Sequence, residues 1–184
     1  MKIITIPHPT LRETAVAVNQ VDSQLIRFVT DLESTLENSR NPRGVGLAAP
    51  QVDRLLRAFV TNFSDELLHF INPVIVKACK RKKVLGVDKN DPDLEGCLSM
   101  PGLYGPVPRH RWVEIEFQTL ENEQLKNHKK RFDGFLARII QHELDHLDGI
   151  LFTDYSLESG LPVYRQSDDG KRLEEIDREL IEII

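Results

Sequence analysis

Apolar residues recur at helical spacing in three stretches of the chain. Between residues 21 and 38 they follow steps of three and four, which gives one apolar face to a helix that Asp22 or Ser23 can cap. Residues 134–147 repeat the pattern, with four side chains expected to face a core: Phe135, Ile139, Ile140 and Leu144. A C-terminal helix is expected from about residue 169, where charges of both signs separate Leu173, Ile176, Leu180 and Ile183.

The middle of the chain is rich in β-branched and aromatic residues. Residues 112–120 alternate apolar and polar side chains, which is typical of a half-buried strand. Shorter strands are expected over residues 58–63, 67–71 and 74–76. Because strands and helices occupy separate stretches, the pattern predicts an α+β fold. We expect a single domain over residues 1–184, with a helical tail over residues 161–184 to which the pattern assigns no role.

Composition and charge exclude several classes of protein. Of the 184 residues, 40% are hydrophobic and 29% are charged, a balance that disfavours gross disorder. No run approaches the ~18 apolar residues of a membrane helix, and Pro7 and Pro9 interrupt any export signal. The net charge of −5 disfavours a domain whose main task is binding nucleic acid. We therefore expect a cytoplasmic protein without membrane association or nucleic-acid sequence readout.

The strongest chemical signal is the sequence His-Glu-x-x-His in the second predicted helix. His142 and His146 are four positions apart, which on a helix means about 40° around the axis and ~6 Å along it. Both imidazoles can therefore reach one metal ion, and Glu143 can contact a water on that metal. Alternatives remain at this point: solvated histidines, a non-catalytic metal-stapled module, or a zinc endopeptidase. An endopeptidase would need a Glu or His ligand downstream. No histidine follows His146, but glutamates do, for example Glu158, Glu174 and Glu175.

Two upstream segments could complete such a site. Residues 95–102 present Cys97 between a glycine and a short apolar stretch, and a thiolate binds borderline metals strongly. The other cysteine, Cys79, is interpreted as a small buried residue. Residues 44–51 form a Gly- and Ala-rich segment that ends at Gln51 and allows close approach of a backbone to a ligand. This segment lacks the features of a nucleotide-binding loop.

Together, these segments resemble the polypeptide deformylase family. That family carries Gly-x-Gly-Leu-Ala-Ala-x-Gln, Glu-Gly-Cys-Leu-Ser and Gln-His-Glu-x-Asp-His in this order, and here they correspond to residues 44–51, 95–99 and 141–146. The resemblance covers about residues 3–155. It implies an α+β fold with mixed or antiparallel sheets around the helix that bears the histidines. It also implies an enzyme that removes the formyl group from the initiator methionine of nascent polypeptides and releases formate.

The resemblance also implies a role for each site residue. One divalent metal, usually ferrous iron but also zinc, nickel or cobalt, would be bound by Cys97, His142 and His146. Glu143 would act as general base and then as general acid. The side-chain amide of Gln51 and the backbone N–H of Leu98 would donate to the developing oxyanion.

The same resemblance implies an extended substrate. Backbone groups at Val45, Gly46 and Gly96 would pair with the peptide as an added strand. The methionine side chain would enter an apolar pocket, for which Val45 and Ile139 are candidate walls.

Tyr104 and the C-terminal tail depart from the resemblance. Tyr104 stands seven residues after Cys97, where many family members have arginine. Arg109 is a candidate to supply a charge at the mouth of the site instead. The tail helix could contact the ribosome transiently, cap the domain or form a dimer face.

Overall fold

The computed structural model describes residues 1–40, 43–80, 82–84, 94–167 and 169–181. Its α-helices are α1 (Ser23–Asn38), α2 (Gly134–Leu147), α3 (Phe152–Ser159) and α4 (Arg178–Ile181). Its strands are β1 (Gly46–Ala48), β2 (Ala58–Phe63), β3 (Glu66–Ala78), β4 (Lys82–Val84), β5 (Glu95–Cys97), β6 (Met100–Gly105), β7 (Pro108–His110), β8 (Trp112–Glu121), β9 (Gln124–Asp133), β10 (Tyr164–Gln166) and β11 (Leu173–Glu175). The predicted α+β class and the two long helices are confirmed.

The larger sheet has five antiparallel strands in the order β1-β2-β3-β8-β9. The strands predicted over residues 67–71 and 74–76 are parts of the single strand β3, whose register with β8 shifts between Ile71 and Val74. Asn72 adopts a positive φ of 50° at this shift, and its side chain bonds the backbone N–H and carbonyl of Val18. The Asn-Pro pair therefore causes a local irregularity and does not end the strand.

Strand β9 was not predicted, because its sequence is almost entirely polar. Its burial pattern is mostly exposed, and it lies at the edge of the sheet, paired along its whole length with β8. Backbone pairing with a well-patterned neighbour therefore specifies this strand, whereas apolar periodicity does not.

Helices pack on both faces of the larger sheet. Ala58 and Val60 of β2 belong to clusters with apolar residues of α1. Phe59, which points to the opposite face, belongs to a cluster with Ile140 and Leu144 of α2. Packing on this face fixes α2 against the sheet and places Ile139 and Glu143 beside Gly46 of β1.

The smaller sheet has the order β11-β10-β6-β5, and its pairings are antiparallel. Strands β10 and β11, with the described residues 167 and 169–172 between them, form a hairpin in it, which we call the tail hairpin. The prediction of a helix from about residue 169 is wrong in extent. Leu173 lies in β11 and pairs with Gln166 of β10, and the helix begins only at Arg178. Pairing with β10 and a turn with a positive φ at Gly170 override the helical spacing. Ile183 lies outside the described residues.

The tail packs on the domain that precedes it. Val163 and Ile181 are buried in one cluster with Cys97, Leu103 and Phe152. The tail therefore caps the smaller sheet, which carries Cys97. Within the described ranges, no helix is both long enough and apolar enough to cross a membrane.

Candidate metal centre

Helix α2 presents its two histidines one turn apart on its buried side. The ring centroids of His142 and His146 are 5.0 Å apart. His146 is 2% exposed. The adjacent helix residues Ile140, Leu144 and Leu147 pack into the core, and the side chain of His142 is 13% exposed.

Cys97 meets these histidines from the end of β5. Its Sγ atom lies 3.2 Å from Nε2 of His146, and the ligand atoms of Cys97, His142 and His146 all lie within 4.8 Å of one another. Cys97 is a free thiol. One sulfur and two imidazole nitrogens at this spacing fit a borderline divalent cation with a fourth position open.

Buried charges orient His142. Its Nδ1 atom lies 3.0 Å from Oε2 of Glu95, which leaves Nε2 directed towards Cys97. Arg109 donates to both oxygens of Glu95, at 2.7 and 2.8 Å, and to Oδ2 of Asp145 at 2.6 Å. A hydrogen-bonded carboxylate behind a ligating imidazole fixes its tautomer and ring orientation.

These contacts correct one expectation. Arg109 is 4% exposed and bound to Glu95 and Asp145, so it supplies no charge at the mouth of the site. Burial by itself would raise the pKa of Glu95, but the charge and hydrogen bonds of Arg109, with those of His142, hold it well below the usual range. Glu95 could have been noticed in the sequence, since it begins the Cys97 motif. Its pairing with Arg109 could not, because the two residues are 14 positions apart and no local pattern links them.

Glu143 lies beside the two histidines and against β1. Burial raises the pKa of its carboxyl group to about 7, and the side chain is 3% exposed. Its Oε2 atom has no hydrogen-bond partner among the described residues. A side chain on Gly46 would collide with its Oε1 atom. The carboxylate is therefore held close to the metal ligands, with one oxygen available to a reactant.

The amide of Gln51 is oriented by its own backbone turn. Its Oε1 atom accepts a hydrogen bond from the N–H of Ala48 at 2.8 Å. Its Nε2 atom consequently points the other way, 3.5 Å from Sγ of Cys97 and 3.2 Å from Oγ of Ser99. Leu98 lies in the turn after β5 and lines the same cavity. The structure thus brings both candidate oxyanion donors to the metal ligands.

A cavity of about 270 Å³ opens in front of the centre. The sequence-predicted substrate residues all line it, namely Val45, Gly46, Gly96 and Ile139. The cavity lies between β1, at the edge of the larger sheet, and β5, at the edge of the smaller sheet. Two strand edges therefore face one space, which suits an extended peptide.

Two residues of α2, Phe135 and Arg138, border the cavity without having been expected there. Phe135 was expected in the core, but it is 41% exposed and lines the cavity. Arg138 is 7% exposed, donates to the carbonyl of Leu94 at 3.1 Å, and also lines the cavity. Helical periodicity cannot distinguish an apolar face that packs on a core from one that borders a cleft.

Comparison with known proteins agrees with this geometry. The family model for polypeptide deformylase matches residues 1–160. A curated peptide deformylase from Rhodopirellula baltica is 40% identical over 166 residues, covering 88% of this chain and 75% of its own length. Another, from Dictyoglomus turgidum, is 38% identical over 158 residues, which cover 86% of this chain and 94% of its own length. A crystal structure of the Legionella pneumophila peptide deformylase matches with a TM-score of 0.71 at 34% identity, covering 84% of each chain. The chain therefore belongs to the polypeptide deformylase family.

Proposed function

We propose that this chain hydrolyses the N-formyl group of the initiator methionine on nascent polypeptides and releases formate. One observation carries the proposal. The ligand atoms of Cys97, His142 and His146 converge beside the buried carboxylate of Glu143, at the end of a cavity bounded by two strand edges. This arrangement supplies a metal, a base and a binding site for an extended peptide.

Cys97, His142 and His146 would hold the divalent metal. Such an ion lowers the pKa of water from 15.7 to about 7 and polarises a carbonyl oxygen. The resemblance favours ferrous iron as the native ion, with zinc, nickel or cobalt as possible occupants. The hydrogen bond between His142 and Glu95 supports this role, since the Nδ1 contact leaves Nε2 for the metal.

Glu143 acts as the proton carrier. Its free oxygen takes a proton from the attacking water and returns it to the amine that leaves the formyl carbon. The raised pKa of its carboxyl group, which burial causes, brings the group close to neutral pH, where a carboxyl group can both accept and donate.

Gln51 and Leu98 stabilise the oxyanion that forms at the formyl oxygen. The hydrogen bond from Ala48 to Oε1 of Gln51 commits the NH₂ group to the site before substrate arrives. A donor that is already oriented needs no reorganisation in the transition state. The backbone N–H of Leu98 is the second proposed donor, at the turn that follows the Cys97 ligand.

The substrate backbone binds as an extra strand beside β1. The N–H of Asn62 donates to the carbonyl of Val45 at 2.9 Å, while Gly46 lies opposite Thr61. In this register the N–H and carbonyl of Gly46 point away from β2 and into the cavity. Gly46 therefore pairs with the peptide on one side and Gly96 on the other. The backbone of Val45 was also expected to pair with the peptide, but its carbonyl is bonded to β2, so Val45 contributes only its side chain, to the apolar wall with Ile139.

Three finer predictions from the sequence stay predictions. They are the identity of the native metal, a cytoplasmic location and a transient contact with the ribosome. The tail that was considered for ribosome contact packs on the smaller sheet through Val163 and Ile181, so such a contact would have to use its exposed face.

The proposal is tested with formyl-Met-Ala-Ser and acetyl-Met-Ala-Ser, using protein purified without oxygen. We expect formate release from the first peptide and no release of free amine from the second. Glu143→Ala should keep its metal and lose about 10²–10⁴ in kcat, since general acid–base catalysis is removed. Glu158→Ala, which changes an exposed glutamate on α3, is the matched control and should keep full activity.

Casein separates the endopeptidase alternative from the proposal. Cleavage of casein without formate release from the formyl peptide would contradict the deformylase assignment. Full activity of Glu143→Ala would contradict the role of that residue.

A further inference from the structure

A second groove, beside the tail hairpin, adjoins the cavity at the metal centre. This groove, of about 350 Å³, is lined by Leu94, Tyr104 and the hairpin residues 166 and 170–173. Leu94 and Tyr104 also line the cavity. The two spaces therefore share a wall.

Strand register puts both spaces on one face of the smaller sheet. Tyr104 lies opposite Gly96 on one side and opposite Tyr164 on the other. Gln166, two residues after Tyr164, lies opposite Leu173. Directly opposed residues share a face, and so do residues two apart along a strand. The face is therefore continuous from Gly96 in the cavity to Leu173 on the hairpin.

Lys171 and Arg172 give the groove its charge. Both are exposed, and the part of the groove lining that the structure describes includes no carboxylate. Asp169, in the same turn, lies outside this lining, and its carboxylate accepts hydrogen bonds from Oγ of Ser167 at 2.6 Å and from the backbone N–H of Lys171 at 3.0 Å.

The described residues of the turn that carries these cations form hydrogen bonds with one another. The backbone N–H of Arg172 donates to Oγ of Ser167 at 3.0 Å, and Nε2 of Gln166 donates to the carbonyl of Gly170 at 3.1 Å. The backbone positions from which both cationic side chains extend are therefore set by the turn, beside the groove.

We propose that the tail hairpin is the outer part of the substrate site, and that Lys171 and Arg172 favour formylated peptides with an acidic side chain after the methionine. The inference rests on the function proposed above. Because the formyl group must lie at the metal centre, only residues downstream of the methionine can reach the groove. The hairpin lies beyond residue 160, where the family match ends, so this selectivity belongs to the chain's own tail.

Matched amidated peptides test this selectivity. They are formyl-Met-Ala-Asp-Ala and formyl-Met-Ala-Asn-Ala, together with a second pair that carries Asp or Asn one position later. Wild-type enzyme should prefer Asp at one of these positions by about two- to fivefold in kcat/KM, as expected for exposed ion pairs. The difference should fall mainly on KM. In Lys171→Glu/Arg172→Glu, the Asp-to-Asn ratio should drop to one or below.

The control variant Lys2→Glu/Lys80→Glu carries the same change in net charge. Both lysines are exposed and lie outside the cavity and groove linings, so the preference should persist in it. If charge reversal lowers the thermal midpoint, Lys171→Gln/Arg172→Gln replaces it and should erase the preference.

Three outcomes would overturn the inference. Equal rates with Asp and Asn at both positions exclude the selectivity. Loss of the preference in the control variant shows that net charge, and not the hairpin, causes it. Formate release from none of the peptides removes the proposed function, and with it this inference.

Discussion

At the residue scale, the backbone of β1 and the carboxylate of Glu143 are in direct contact. A Cβ atom on Gly46 would collide with Oε1 of Glu143 and would lie 2.9 Å from Cγ2 of Ile139. Gly46 is also the residue whose backbone groups point into the cavity. One glycine therefore brings the proposed substrate strand and the proposed base together, which a larger residue would prevent.

Gly46→Ala should lower kcat strongly while leaving metal binding intact. The added methyl group displaces the Glu143 carboxylate, and a base moved by about 1 Å can cost about 10² in rate. Formate release and metal content measure the two effects. Gly105→Ala, which meets the Phe152 ring at 3.1 Å outside the centre, is the control. Equal losses of activity in both variants would point to general overpacking instead.

Gln51→Ala should reduce kcat by about 10²–10³, the usual effect of losing one oxyanion donor. Steady-state kinetics on formyl-Met-Ala-Ser measure this loss, and KM should change less. Ser99→Ala removes a partner of Nε2 but leaves the hydrogen bond from Ala48 that orients the amide. Its kcat should therefore fall by less than about tenfold. A Gln51→Ala variant with normal kcat would exclude Gln51 as a donor.

At the element scale, the centre forms where β5 meets α2. Cys97 ends a strand of the smaller sheet, whereas His142 and His146 belong to a helix packed on the larger sheet. Arg109 lies in β7 and forms ion pairs with Glu95 on β5 and with Asp145 on α2. It therefore connects the strand to the helix. Because these charges are buried, removing one partner would leave another uncompensated. The network therefore fixes the position of β5 relative to α2.

The tail should stabilise the strand that carries Cys97. Ile181 is 4% exposed and Leu180, its neighbour on α4, is 49% exposed. Ile181→Ala should lower the free energy of unfolding by about 2 kcal/mol, or the thermal midpoint by about 4–8 °C. Leu180→Ala should stay within about 0.5 kcal/mol of the wild type. Thermal denaturation of both variants would show whether the tail packs as described, since equal midpoints would contradict it.

At the scale of the whole molecule, a metal would connect the two sheets. Its sulfur ligand lies in the cluster with Val163 and Ile181, and its nitrogen ligands lie on the helix of the main core. A ligand that binds the folded state alone stabilises it according to its concentration and affinity. Metal binding is therefore expected to affect folding as well as activity.

Removal of the metal should lower the thermal midpoint by roughly 5–15 °C, the effect of about 3–4 kcal/mol of binding energy in a chain of this size. The measurement compares chelator-treated and refilled protein by calorimetry, with metal content determined on each sample. Refilling with nickel should restore the midpoint and the activity together. An unchanged midpoint in protein shown to have lost its metal would contradict a bridging role.

The sequence predicted more of the site than of the fold around it. The i, i+4 spacing of His142 and His146 depends only on helical geometry, and Cys97 stood in a recognisable motif. The expectation that Arg109 places a charge at the mouth of the site was wrong, because the burial of a residue depends on which elements pack around it. Strand β9 and the tail hairpin were missed for a related reason, since their pairing partners, and not their own periodicity, make them strands.

The sequence by itself determined the ligand types, their spacing on α2 and the apolar faces of α1 and α2, because these follow from local geometry. Only the tertiary structure decided that Cys97 comes within 3.2 Å of His146, that Gly46 and Gly96 face one cavity, and that the tail extends the sheet beside it. Contacts between residues far apart in the chain depend on how whole elements pack. A local pattern can indicate such contacts only through resemblance to proteins that already share the fold.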